Sequence, residues 1–148
     1  MSGAIDLRET ELFLHRQIPL TAAMGVGLEL DGEGRLVVRA PLEPNHNHLH
    51  TAFGGSLSAL AMVAGYAFLW LELVERDSHI VIRDGAVSYE RPVRGEIRAV
   101  CLRPDGEALA AFKAAFAAKG KARIRLEVIV EEAGETAVRF QGTYVALR

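Results

Sequence analysis

Residues 51–75 read TAFGGSLSALAMVAGYAFLWLELVE, a glycine pair followed by a long and almost unbroken apolar run. Because the run has no polar face, it predicts a helix over residues 55–75 that is buried on nearly every side. Such a helix is roughly 30 Å long, which approaches the span of a bilayer. Polar interruptions such as Glu72, and the lack of a flanking basic cluster, favour a core helix over a membrane span.

The segments around this helix have the composition of β-strands. Residues 26–30 and 36–40 enclose the loop DGEG, an arrangement that predicts a β-hairpin. After the helix, β-branched and aromatic runs bounded by turn residues predict four more strands, at residues 79–89, 96–102, 121–131 and 136–147.

Two further helices are predicted, over residues 5–17, ending before Pro19, and over the alanine-rich residues 106–118, inserted before the fifth strand. The first of them should cover a sheet edge. The whole order predicts an α+β domain with one mostly antiparallel six-stranded sheet. The long helix can bury its apolar surface only if the sheet curls around it and a second subunit covers the remaining side, so a homodimer or a dimer of dimers is expected.

The composition limits the class of protein. With 148 residues, 50% of them apolar, the chain is expected to form one domain over residues 1–148. The formal net charge of -2 argues against nucleic acid or an anionic membrane as the main partner. Cys101 is the only cysteine, and the N-terminal residues lack the basic start and apolar run of a signal peptide, so a cytoplasmic location is expected.

The element order, with a glycine pair at the start of the long helix, resembles the hotdog superfamily of thioesterases and dehydratases over nearly the whole chain. Three strings, PNHN at residues 44–47, TAFGGSL at 51–57 and YERPV at 89–93, resemble a thioesterase family whose members occur alone or fused behind a bacterial acetyltransferase domain. The resemblance implies a sheet curled around the central helix, hydrolysis of an acyl-CoA or acyl-carrier-protein thioester by activated water, and no cofactor.

The start of the long helix offers groups suited to this chemistry. Backbone N–H groups there lack partners within the helix and carry partial positive charge, and glycine lets a ligand approach them. Gly54 and Gly55 are therefore predicted to stabilise the oxyanion that forms when water adds to the thioester carbonyl. By analogy with an asparagine in related thioesterases, Asn47 would position the water or the carbonyl. The alternatives are a glycine pair that only permits tight packing and an asparagine that only forms a turn.

The general base is not evident. Related phenylacetate-type thioesterases have a histidine before the glycine pair and a carboxylate in the first turns of the helix, whereas this chain has Phe53 and an apolar run whose first acid is Glu72. Alternation along the third strand would place Asp84 and Glu90 on one face with Ile82, from which they could reach a site across a dimer. The alternative is that they are exposed strand charges, and that positioning and oxyanion stabilisation supply a modest rate without a strong base.

Several residues near the helix start are candidates for substrate contact, each with a simpler alternative. Asn45 suits a turn and Thr51 a helix cap. Ser56 suits the first helical turn better than a nucleophile's role, because no His-Asp relay is evident. His50 could deliver a proton to the leaving thiolate or be a solvated loop residue. The alternating histidines within residues 46–50 lie in a loop after a proline, so no metal site is predicted.

The remaining candidates would contact the acyl group or the coenzyme A tail. Three belong to the strings quoted above: Phe53, Tyr89 and Arg91. Two more, Lys121 and Arg123, alternate with Lys119 and Arg125 in a basic stripe that would lie on the outer face of the fifth strand. Such a stripe suits phosphate groups, although a solvated outer face explains it equally well.

These features together predict an acyl-thioester hydrolase with an oxyanion site at the helix start. Because the helix carboxylate is missing, a non-catalytic acyl-thioester binding domain stays open as an alternative. A dehydratase of the same fold is less favoured, because its usual pairing of histidine with an acid is not visible at the helix start.

Overall fold

The long helix and the six strands predicted from the sequence are all present. We describe a computed structural model of the chain over residues 6–75 and 77–148. Its helices are α1 (Leu7–Gln17), α2 (Pro19–Met24), α3 (Leu42–Asn45), α4 (Gly54–Leu73) and α5 (Gly106–Lys119). Its strands are β1 (Gly27–Leu30), β2 (Leu36–Ala40), β3 (His79–Tyr89), β4 (Ile97–Leu102), β5 (Lys121–Glu132) and β6 (Glu135–Leu147).

The strands form one antiparallel sheet in the order β1-β2-β4-β5-β6-β3. The longest pairing joins β5 to β6, from Lys121 opposite Leu147 to Glu132 opposite Glu135. The sheet curls around α4, which contacts five of its strands, β2 to β6. This is the hotdog architecture that the resemblance implies, so the predicted fold is confirmed.

Helix α4 fills the concave side of the sheet, where Leu60, Ala64 and Leu69 are completely buried. Tyr144 of β6 lies directly against this helix, and its hydroxyl donates to the Met62 carbonyl at 2.7 Å. A methyl group on Gly65 would lie 2.3 Å from that hydroxyl oxygen. Glycine in the middle of the helix therefore permits the close approach of β6.

One side of α4 is not covered by the chain's own sheet. Met62 is exposed, and Ser58, Ala59 and Tyr66 are half-buried on the same helical face. Among the described residues, α4 is also the one helix long and apolar enough to cross a membrane, but 67% of its most apolar window is buried inside the protein. That burial is typical of a core helix, and the dimer expected to cover the open face stays a prediction.

The N-terminal helix α1 covers the β1 edge of the sheet, as predicted. Its first predicted residue, Ile5, lies outside the described residues. Glu11 accepts a hydrogen bond from the Leu28 N–H at 2.7 Å, and the His15 ring is hydrogen-bonded to the Val26 carbonyl at 2.8 Å. Two side chains of α1 thus satisfy backbone groups at the β1 edge, where no further strand of the described chain pairs.

Three helix boundaries differ from the predictions. The chain becomes helical again at Pro19 and forms α2, because proline is compatible with the first turn of a helix. Helix α5 runs through Lys119 and ends at Gly120, whose φ is 69°, so Lys119 is not part of the basic strand stripe. Helix α4 begins at Gly54, one residue before the predicted start, and ends at Leu73.

A bulge within β3 changes which of its side chains face the core. The register with β6 shifts between Ile82 and Asp84. Ile82 lies opposite the buried Tyr144 and faces the core, whereas Asp84 lies opposite Thr143 on the outer face. The prediction of one alternating face from Ile82 to Glu90 is therefore wrong, because the extra residue reverses the alternation.

Candidate active site

The start of α4 presents backbone donors that have no acceptor in the part of the chain that the structure describes. Phe53 is the N-cap residue, and its apolar side chain makes no capping hydrogen bond. The first helical bond runs from the Leu57 N–H to the Phe53 carbonyl at 3.0 Å. Within residues 6–75 and 77–148, the N–H groups of Gly54, Gly55 and Ser56 contact no acceptor. These groups and the partial positive charge of the helix end suit a carbonyl oxygen that gains negative charge.

Two aromatic side chains border these donors. The Phe53 ring folds over Gly55, where an added methyl group would lie 2.4 Å from the ring carbon Cε2. The Tyr89 hydroxyl donates to the Gly54 carbonyl at 3.2 Å, and the ring lies 3.6 Å from the position that a Gly54 methyl group would take. Phe53 is 55% exposed and Tyr89 54% exposed. The helix start is thus an open site with apolar walls.

Asn47 lies in the loop before the helix and closes a turn. Its Oδ1 accepts the Leu49 N–H at 2.8 Å and the Thr51 N–H at 3.2 Å, and its Nδ2 donates to the Thr51 hydroxyl at 2.8 Å. Thr51 therefore supports this turn and does not cap α4. One of the two N–H groups of the Asn47 amide has no acceptor among the described residues and is available to a ligand.

Asn45 is buried and holds the backbone around the site. Its amide donates to the Met24 and Pro41 carbonyls, both at 2.9 Å, which uses both N–H groups. The backbone carbonyl of Asn45 accepts a hydrogen bond from the Phe53 N–H at 2.8 Å. These contacts fix the entry of the chain into α4, so Asn45 has no free donor for a substrate.

The acids considered as general bases lie away from the start of α4 in this chain. Asp84 is exposed on the outer face of the sheet. The Glu90 carboxylate pairs with Arg139 Nε at 3.0 Å, and Arg139 lies opposite Ser88 on that same outer face. Neither carboxylate faces the donors at the start of α4.

Glu72, the acid within α4, has a structural role. It lies eighteen residues beyond Gly54, roughly 27 Å along the helix. Its carboxylate pairs with Lys113 at 2.8 Å and with Arg103 at 2.9 Å, and its side chain is 5% exposed. Burial opposes ionisation, but the hydrogen bonds from Lys113 and Arg103 outweigh it and hold the pKa of Glu72 below its ordinary value.

The basic residues predicted to bind a coenzyme A tail are spread over the sheet. Lys121 lies opposite Leu147, which in turn lies opposite His79. His79 begins β3 and Tyr89 ends it, so Lys121 is roughly 30 Å from the Tyr89 end of the sheet. Arg123 lies two residues nearer on the same exposed face.

Two other predicted substrate contacts lie closer to the start of α4. Arg91 follows the end of β3 and pairs with Glu135 at 2.9 Å. Ser56 is half-buried in the first turn of α4, and among residues 6–75 and 77–148 no histidine or carboxylate is hydrogen-bonded to it. The geometry gives Ser56 no relay that would make it a nucleophile.

The structure brings His50 into a cluster that the sequence interpretation missed. His46 Nε2 lies 3.1 Å from a Glu43 carboxylate oxygen, and the His46 and His50 rings stack with their centroids 4.6 Å apart. Ligand atoms of all three side chains lie within 4.8 Å of one another. The spacing Glu-x-x-His-x-x-x-His could have suggested the cluster, but the loop conformation that closes it is not evident from the sequence.

The fold has counterparts in known proteins. A crystal structure of a protein of unknown function from Chlorobaculum tepidum TLS is 36% identical, covers 95% of this chain and 93% of that chain, and superposes with a TM-score of 0.87. A structure described as the "putative thioesterase from Shewanella oneidensis" is 29% identical, with 96% and 97% covered and a TM-score of 0.81.

A protein from Bacillus halodurans, whose crystal structure is described as "with CoA", is 21% identical, with 99% of this chain and 97% of that chain covered and a TM-score of 0.67. That likeness concerns the fold. A family model described as "Putative thioesterase (yiiD_Cterm)" matches residues 7–148. Because the match spans nearly the whole chain, this protein belongs to that thioesterase family.

Proposed function

We propose that this chain hydrolyses acyl thioesters, with the thioester carbonyl bound at the start of α4. The observation that carries the proposal is the set of N–H groups of Gly54, Gly55 and Ser56, which have no acceptor among the described residues and lie at the N-terminus of a long apolar helix. The apolar walls formed by Phe53 and Tyr89 suit the carbon chain of an acyl group. Membership of a thioesterase family supports the same reaction.

In the proposed reaction, the carbonyl oxygen accepts hydrogen bonds from the helix N–H groups, and a water oxygen adds to the carbonyl carbon. The developing oxyanion is stabilised by donors that are already in place. When the oxyanion collapses, the C–S bond breaks, and the thiolate leaves and takes up a proton that the water has lost. The free N–H of Asn47 would orient the carbonyl or the water.

We propose that neither Asp84 nor Glu90 is the general base, either in its own chain or across a dimer. Asp84 lies on the outer face of the sheet, and Glu90 is neutralised by Arg139. Positioning and oxyanion stabilisation would then supply most of the rate. Replacing Asp84 and Glu90 together by Asn and Gln should leave the rate of hydrolysis nearly unchanged.

We further propose that the substrate is an acyl-CoA and that two chains together enclose the acyl group. The coenzyme A found with the Bacillus halodurans protein of the same fold suggests this carrier. The open face of α4 around Met62 needs a cover, and β3 is a sheet edge whose backbone groups can pair with a second chain. A cytoplasmic location suits such a substrate and a chain with a single cysteine.

The test is hydrolysis of acyl-CoA substrates of short, medium and long chain, followed with a thiol reagent. The decisive variant is Gly54→Ala, because a methyl group there meets only an ordinary contact with Tyr89 and yet enters the site. We expect kcat/KM to fall at least about tenfold. The matched control is Gly106→Ala at the start of α5, where the methyl group meets nothing within 4 Å. Failure to hydrolyse every chain length would refute the proposal.

A second function, non-catalytic binding of acyl thioesters, is favoured by one observation. Within the described residues, the first turns of α4 carry no carboxylate or histidine that could act as a base. Calorimetry separates the two functions, because a binding domain would bind acyl-CoA and leave it intact. Turnover that is lost in Gly54→Ala and kept in Gly106→Ala would exclude it.

A further inference from the structure

We infer that Glu43, His46 and His50 form a binding site for a divalent transition-metal ion in the loop before α4. Two imidazoles and one carboxylate are the donor types that zinc, copper and nickel prefer, whereas magnesium and calcium prefer oxygen ligands. Three protein ligands leave a coordination position open to solvent. This inference does not rest on the proposed hydrolase activity.

The hydrogen bonds of His46 prepare one ring nitrogen for a cation. His46 Nδ1 lies 2.9 Å from the Asn47 backbone carbonyl, which can only accept, so Nδ1 carries a proton. In the neutral ring, Nε2 then holds a lone pair and faces the Glu43 carboxylate oxygen at 3.1 Å. A metal ion bound by both atoms would bring together two groups that otherwise only accept. A ring N–H donated to a backbone carbonyl is also the usual orientation of a metal-binding histidine.

The distances suit ligands of a single ion. Zinc binds nitrogen and oxygen ligands at about 2.0–2.2 Å, so two ligands at the tetrahedral angle lie about 3.3–3.6 Å apart. The 3.1 Å between His46 Nε2 and the Glu43 oxygen is slightly shorter, so a small outward shift of the exposed Glu43 side chain lets both atoms bind one ion. His50 is within 4.8 Å and exposed, so a small rotation of its side chain completes the set.

The loop backbone keeps His50 beside His46. His50 has a φ of 58°, an uncommon conformation for a residue other than glycine. Its N–H donates to the Asn47 carbonyl at 3.1 Å, and the Asn47 side chain closes the same turn. His46 also forms a β-bridge with Ala52, two residues before α4. A bound ion would therefore fix the loop that leads into the helix.

The test is zinc binding to the untagged, chelator-treated full chain, measured by competition with a chromophoric zinc indicator. We expect one zinc ion per chain, and visible absorption when cobalt replaces zinc. Glu43→Gln and His50→Asn should each weaken zinc binding at least about tenfold. Asparagine is chosen at position 50 because it tolerates positive φ, which keeps the turn intact.

The matched control is His48→Asn, the same substitution two residues away at an exposed histidine outside the cluster. It should leave the zinc affinity unchanged. The inference is overturned if the wild-type chain binds no zinc. It is also overturned if His48→Asn weakens zinc binding as much as His50→Asn, because binding would then be nonspecific.

Discussion

Single residues at the start of α4 decide which groups a ligand can reach. The Phe53 ring occupies the space that a side chain at Gly55 would need. The absence of a side chain at Gly55 therefore serves packing as well as access to the N–H groups. Gly54 has room for a methyl group, and its role in the proposed reaction can therefore be tested without disturbing the fold. Asn45 and Asn47 lie two residues apart but differ: among the described residues, one Asn47 N–H has no acceptor, whereas both Asn45 N–H groups are used.

We expect the thiol of Cys101 to be unreactive in the folded protein. It is 3% exposed, and burial raises the pKa of the thiol to about 12, so the reactive thiolate is almost absent at neutral pH. A disulfide reagent should label no thiol in the native protein and one per chain after denaturation. Rapid labelling of the native protein would contradict this, and it would complicate the thiol-based assay of hydrolysis.

At the scale of one element, α4 is shaped by its contact with β6. We expect Gly65→Ala to destabilise the protein, although alanine favours a helix by about 1 kcal/mol. The added methyl group would lie 2.3 Å from the Tyr144 hydroxyl, whose place is fixed by its hydrogen bond to the Met62 carbonyl. Overpacking of this kind should lower the free energy of unfolding by about 1–2 kcal/mol net, measured by urea denaturation.

Gly106→Ala is the control for this prediction, since its methyl group has open space at the start of α5. Its free energy of unfolding should stay within about 0.5 kcal/mol of the wild type. Equal stability of Gly65→Ala and Gly106→Ala would mean that β6 moves freely away from α4.

In the whole molecule, Glu72 links α4 to two other parts of the chain. Its partner Arg103 follows the end of β4, and its partner Lys113 lies in α5. The pKa of Glu72 is lower in the folded state than in the unfolded state. Its contribution to stability is therefore fully present above the unfolded pKa of about 4.3 and is lost as the pH falls through the folded pKa. Glu72→Gln should lower the free energy of unfolding at pH 7 by about 2 kcal/mol and reduce the loss of stability in acid.

Glu75→Gln is the matched control, because Glu75 pairs with Arg148 at the surface with both side chains well exposed. The same substitution there should cost less than about 1 kcal/mol. Acid unfolding curves of Glu72→Gln and Glu75→Gln that coincide would show that the buried position of Glu72 has no effect on stability.

The open face of α4 leads to a prediction about assembly. Met62→Glu places a charge in the middle of that face and should convert a dimer into monomers, as measured by light scattering after size-exclusion chromatography. Ala114→Glu, on the exposed side of α5, is the control and should leave the mass unchanged. A wild-type chain that is already monomeric at high concentration would rule out the proposed dimer.

The fold follows from patterns in the amino-acid sequence. The apolar run of residues 51–75 and the strand composition around it are local patterns, and local patterns predict helices, strands and their order. The glycine pair in the same run also located the start of α4, where Gly54 and Gly55 expose their N–H groups.

The contacts between distant residues and the conformations of the loops become evident only in the folded chain. The β3 bulge reversed the face of Asp84, the ion pairs of Glu72 joined α4 to α5, and the loop turn brought His50 to Glu43. Local periodicity carries no information about such contacts, because they depend on how separate segments pack and on backbone conformations that follow from that packing.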